Sequence, residues 1–276
     1  MIDSSRRRLW GSVRLPWPRV ATARISTVVS PTPYTMPRTA HIAALLTAGL
    51  AFASPARAAV PMAVHAARPP AVLPAFPAAG PLAVSSVIAR TEPRNTARRI
   101  VVVHAFRSDF RPQYLLAIAG RRDAHGQLWV QVRLQLRPNG TLGWIPRSAV
   151  QLTATRDKIV VHRGRRKIDI FANGKLVDEA PVAIGAPGRE TPLGNFYVTA
   201  RFVPDDPFLG TFAVATSAYS KLTEWPGVGV VGIHGTSAPQ LLGQAVSHGC
   251  VRVSNATAAL LRRYAPVGTP ISIVAN

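Results

Sequence analysis

Short apolar runs broken by glycine, proline or asparagine dominate the pattern from Ile100 to the end of the chain. Ile100–Phe106, Leu115–Ile118, Leu128–Leu134 and Leu142–Ile145 form one series, and their spacing predicts the strands of a small barrel. A second series begins at Lys158–His162 and Arg166–Ala172, turns at Asn173-Gly174 and returns through Lys175–Ile184. Asn-Gly accepts positive φ at both turn positions, so each such pair predicts a hairpin; Asn139-Gly140 is the other. Phe196–Phe202, Thr211–Ala215, Val228–Ile233 and Ile271–Val274 complete the predicted strands. A helical signal stands at Ala256–Tyr264, with Asn255 as cap and Pro266 as stop. The expected fold is therefore mainly β, with one or two short helices.

The region before Thr96 reads differently. Arg38 precedes an apolar run, Ile42–Ala53, that ends in Ser54, Pro55 and the small-residue pattern Ala56-Arg57-Ala58. This is the layout of a secretory leader, too short to remain as a permanent membrane span. Residues 1–58 are thus expected to be an N-terminal extension and signal peptide, with Met36 as the true start of translation. Residues 59–95 are rich in Ala and Pro and without sustained period, which predicts an extended linker. The first strand series then makes a domain over 96–152 and the second a domain over 157–274.

The chain carries a net charge of +21, about +14 of it after residue 58. Phosphate-binding proteins use such charge, but here it is diffuse and lacks a nucleic-acid motif, so no nucleic acid is expected as a partner. An exported cationic protein suits anionic wall polymers instead.

The chemistry concentrates in His234–Asn255, HGTSAPQLLGQAVSHGCVRVSN, which holds the chain's single cysteine, Cys250. A thiol needs a neighbouring imidazole or backbone N–H groups to act as a nucleophile at neutral pH. His248 and His234 are both at hand. A structural zinc site needs four ligands, and with one cysteine and scattered histidines the expectation is no metal and no cofactor. Arg252 falls on the same face as Cys250 in an extended segment, where it can take a substrate carboxylate.

SHGCVRVSN with an upstream IHG resembles the active-site signature of the L,D-transpeptidase catalytic domain family of bacterial cell walls. Pro181–Gly185 and Thr191–Phe196 are similar to two further segments of that family, in the same order. The resemblance implies a β-sandwich, Cys250 as nucleophile, His234 as the proton acceptor and donor, and His248 in a secondary role. The Gly249 and Cys250 backbone N–H groups are then the oxyanion donors, with Ser247 and Thr236 placed to orient the histidines. It also implies peptidoglycan stem tetrapeptides as substrate, release of D-Ala and 3–3 cross-links, in the periplasm or cell wall. The glycine- and proline-rich stretch Val203–Val230 corresponds either to a cover over the site or to a surface loop.

Residues 128–150 resemble bacterial SH3-like domains, in which Trp129 and Trp144 serve either the core or a binding face. Three alternatives remain open. Water as acceptor gives an L,D-carboxypeptidase, and loss of catalysis gives a wall-binding protein. A papain-like peptidase is disfavoured because there the cysteine precedes its histidine.

Overall fold

The structure, a computed structural model, describes residues 72–223 and 228–276. The expected leader and the first part of the linker lie outside these residues. Two sheets with separate hydrophobic cores follow one another along the chain.

The first sheet contains β1 (Ala78–Pro81), β2 (Ser86–Arg90), β3 (Arg99–His104), β4 (Tyr114–Arg122), β5 (Leu128–Arg133), β6 (Leu142–Pro146) and β7 (Thr153–Ala154). Their order is β3-β2-β6-β5-β4-β1-β7, every pair antiparallel. β1 and β2 lie inside the stretch expected to be linker, which corrects that boundary. Ala78 and Ala89, small as they are, are completely buried because the sheet packs closely around them. Gly80 is required at its position, since a Cβ there would run into the Gln151 backbone. Trp129 is also wholly buried, its Nε1–H donating to Asp123 Oδ2 at 2.9 Å, while Trp144 is half-buried.

The second domain opens with β8 (Lys158–His162), β9 (Lys167–Ala172) and β10 (Lys175–Pro181). β8 and β9 pair so that Ile159 faces Ile170 and Val161 faces Ile168, all four buried. Asn173 and Gly174 turn β9 into β10 with φ of 50° and 80°, the mirror-image turn the sequence predicts. Next come β11 (Ile184–Gly185), β12 (Gly194–Phe202), β13 (Ala213–Tyr219), β14 (Val230–His234), β15 (Ala245–Ser247) and β16 (Val251–Arg252). α1 (Asn255–Tyr264) and β17 (Pro270–Val274) end the domain. Eight strands form one sheet in the order β10-β9-β8-β17-β12-β13-β14-β16, and β11 pairs with β15 in a parallel ladder beside it.

The helix is capped by Ser254 rather than by Asn255. Ser254 Oγ accepts the Thr257 N–H at 3.0 Å, which releases the Asn255 side chain for another task. α1 packs its buried face, Ala258 and Leu261, into the core made by β8, β9, β12, β14 and β17. The turn expected at Asn139-Gly140 is wider than two residues: β5 and β6 close at Arg133 and Leu142, and Asn139 faces the second domain.

Candidate active site

The site is built at the end of the sheet by two neighbouring parallel strands. β14 and β16 align Ile233 with Val251 and His234 with Arg252. Alternation then sorts their side chains. Val231, Ile233, Val251 and Val253 enter the core, while Gly232, His234, Cys250 and Arg252 share the opposite face. The sequence pattern that makes these strands therefore also gathers the chemistry.

Gly232 lies between the thiol and the imidazole. Its N–H donates to Cys250 Sγ at 3.3 Å. A methyl group placed on it would lie 3.8 Å from that sulfur and 3.9 Å from the His234 ring, so both groups are within a side chain's width of one point. Cys250 and His234 also line one cavity of about 770 Å³. His234 Nδ1 stands 2.6 Å from the Gly235 carbonyl oxygen, which can only accept. Nδ1 therefore carries the proton, and Nε2 of the neutral ring keeps its lone pair.

Burial sets the protonation of the pair. It pushes the Cys250 thiol above its ordinary range, against the opposing pull of the Gly232 N–H and the Arg252 guanidinium. Burial also lowers His234, and the charge of Arg252 lowers it further, against the Gly235 and Leu209 backbone groups. Both shifts favour neutral forms. Thiol and imidazole are favoured over the ion pair because desolvation outweighs the local donors.

The loop around Cys250 is held by buried hydroxyls. Ser247 Oγ donates to the Cys250 carbonyl at 2.6 Å and accepts the Gly249 N–H at 3.1 Å. Ser247 thus shapes the loop that carries Cys250. Thr236 Oγ1 accepts the Ala238 N–H two residues on. Of the two expected oxyanion donors, the Gly249 N–H is engaged by Ser247. Gly249 has φ of 117°, and a Cβ there would come within 2.9 Å of the Ser220 Cβ.

Other residues support this arrangement through pairings that the sequence does not signal. Thr191, wholly buried, accepts the Gly185 N–H and donates to the Gly249 carbonyl, both at 2.9 Å. It ties the Pro181–Gly185 segment to the loop that carries Cys250. Ala183 binds Arg252 through both backbone groups, at 2.8 and 2.9 Å. Asn255 Oδ1 accepts the Thr211 N–H at 3.1 Å, and the absence of a Cβ at Gly210 and Gly235 lets these segments meet directly behind His234. The resemblance quoted Thr191 and Asn255 as motif positions; their pairings with distant residues have no local signal.

Arg252 is 8% exposed, its guanidinium 4.6 Å over the Phe208 ring, and its Nε has no hydrogen-bond partner among the described residues. His248 is half-buried and lies in the field of Arg189 and Arg252, which together with burial lowers its pKa. Among the described residues no three His, Cys, Asp or Glu side chains gather as metal donors. The stretch Val203–Val230 is only partly loop, for β13 runs through it, and Leu209 and Val228 from its two flanks line the cavity.

Residues 156–273 match the model of the L,D-transpeptidase catalytic domain family. The Bacillus subtilis protein YkuD is 32% identical over 116 residues, 42% of this chain and 64% of its own. L,D-transpeptidase 1 of Mycobacterium tuberculosis is 30% identical over 118 residues, 38% of this chain and 45% of its own. The chain thus spans less than two thirds of the length of these curated relatives. A solved L,D-transpeptidase from Mycobacterium smegmatis aligns with 59% of this chain and 90% of its own at 18% identity, with a TM-score of 0.40.

Proposed function

We propose, from the match of residues 156–273 to the L,D-transpeptidase catalytic domain model, that this chain is an exported cysteine acyltransferase forming 3–3 cross-links between peptidoglycan stem peptides. The observation that carries the reading is the placement of the Cys250 thiol and the His234 imidazole about one glycine in a shared cavity.

Cys250 Sγ attacks the carbonyl carbon of the bond before the donor's terminal D-alanine, and His234 Nε2 takes the thiol proton. The oxyanion of the tetrahedral intermediate faces the Cys250 N–H, the donor that the Ser247 hydrogen bonds keep in place. Collapse breaks the C–N bond, His234 returns the proton to the departing D-Ala amine, and a thioester remains. An acceptor amine then attacks the thioester; His234 takes its proton and gives it to the leaving sulfur. The neutral resting pair fits this sequence, since each half-reaction moves one proton through one imidazole. Arg252, buried without an acidic partner among the described residues, takes the donor's carboxylate. His248, half-buried beside the loop, keeps a secondary, structural role. Wall polymers with anionic groups are a second partner suited to the charge of about +14 after residue 58.

Incubation of the chain with a disaccharide stem tetrapeptide, followed by mass analysis of the products, tests the proposal. A 3–3 linked dimer with free D-Ala supports it. Tripeptide alone makes the protein an L,D-carboxypeptidase, and unchanged substrate, with wall binding retained, makes it a binding protein.

A further inference from the structure

The cavity that ends on Cys250 and His234 is not built by the catalytic sheet alone. Val102, Phe106, Gln113, Gln135 and Leu136 line it from the first sheet. Side chains of that sheet are also fastened to the catalytic backbone along β12, β13 and the residues just after. Arg107 Nη1 donates to the Thr199 carbonyl at 3.2 Å and Gln135 Nε2 to the Thr216 carbonyl at 3.4 Å. Asn139 exchanges two hydrogen bonds with the Tyr219 backbone, at 2.7 and 2.9 Å. Arg137 Nη1 donates to the Ser220 carbonyl at 2.7 Å while its guanidinium lies 4.7 Å over the Tyr219 ring. Ser220 is the residue against which Gly249 packs. The first sheet is therefore fixed to the catalytic loop's own support, one residue from the nucleophile.

The lining has a definite chemistry. Among the described residues no Asp or Glu contributes to it, and valine, leucine, alanine and phenylalanine stand beside neutral glutamine amides. The one guanidinium among the lining residues, Arg107, is held by Asp109 at 3.3 Å. Such a wall accepts uncharged peptide groups with short apolar side chains.

We infer that the first sheet is part of the substrate site, the wall against which the uncharged, apolar-flanked stretch of the acyl donor lies, and a determinant of which donors are used. This rests on the acyl-transfer reading above. The sheet's role then lies in the reaction itself, beside any affinity for wall polymer.

Val102 and Phe106 are 36% and 63% exposed, so substitutions there spare the core. In the full chain, Val102→Asp places an unpaired carboxylate in the apolar wall and is expected to raise KM for a stem tetrapeptide by about ten-fold with kcat retained. Phe106→Ala removes apolar contact and is expected to raise KM by roughly three-fold. Alkylation of Cys250 by iodoacetamide and the melting temperature are read in parallel and stay at the wild-type values. Wild-type KM in both variants overturns the inference, as does a loss of alkylation in step with the loss of turnover, which marks a structural effect. A wild-type chain that neither releases D-Ala nor forms an acyl-enzyme defeats the acyl-transfer reading first, and the inference with it.

Discussion

Replacing Thr191 by valine keeps the side chain's shape and removes one hydroxyl that serves two buried backbone groups. The Gly185 N–H loses its acceptor and the Gly249 carbonyl its donor, both at 2.9 Å in the native chain and both shielded from water around a residue with 0% exposure. A buried polar group left without a partner costs about 1–3 kcal/mol, so the two together cost roughly 2–6 kcal/mol. For a folded unit of this size the melting temperature falls by roughly 2–4 °C per kcal/mol, which places the loss near 10 °C. Thr191→Ser retains the hydroxyl and gives up one buried methyl, at about 1 kcal/mol. The comparison of the two variants isolates the hydrogen bonds from the packing. Because Gly249 precedes the nucleophile, the valine variant is also expected to acylate roughly 10- to 100-fold more slowly, by displacement of the reacting sulfur. Thermal unfolding and a stopped acylation assay on all three proteins provide the check. Valine and serine variants that melt within about 2 °C of each other would refute the reasoning, since the hydroxyl would then carry no load.

Three further outcomes are expected. The acid limb of the pH–rate profile falls below 6.5, because His234 must be neutral to accept a proton and burial lowers its pKa; no rise from free thiolate comes until above 9.0, because burial raises Cys250. A pH titration of acylation checks both ends, and an acid limb above 6.5 contradicts the assignment. Arg252→Gln removes a charge that lowers both groups, so the acid limb moves to higher pH while the donor's KM rises. Gly249→Ala forces a side chain into φ of 117° and against Ser220, and is expected to lower the acylation rate at least ten-fold, at a strain cost of about 1–3 kcal/mol.

Much of this was legible in the chain itself. Period-two alternation at Ile159, Val161, Ile168 and Ile170 and the Asn173-Gly174 turn fix a hairpin through contacts between near neighbours. Cys250, His234 and Arg252 could be picked by residue type, and strand alternation put them on one face. What escaped the sequence depends on distance along the chain. Ala78 and Ala89 look like linker because alanine has too little surface to signal a core, and they are buried only when a sheet closes around them. Ser247 stands beside a histidine in the sequence, yet its hydroxyl turns back to the Gly249 and Cys250 backbone, where a tight loop leaves buried polar groups to satisfy. The protonation of the catalytic pair likewise depends on burial, which local sequence does not reveal. Asn139, read as a turn residue, instead reaches eighty positions along the chain to Tyr219.

The most direct test of the account is intact-mass measurement of the protein after brief incubation with a stem tetrapeptide, with Cys250→Ala and His234→Ala alongside. The wild type is predicted to gain the mass of the donor acyl group less D-Ala and to lose it when an amine acceptor is added, while the cysteine variant gains nothing and the histidine variant acylates far more slowly. An adduct that persists in Cys250→Ala, or a folded wild-type chain that never acquires one, would contradict the assignment of Cys250 as the acyl carrier.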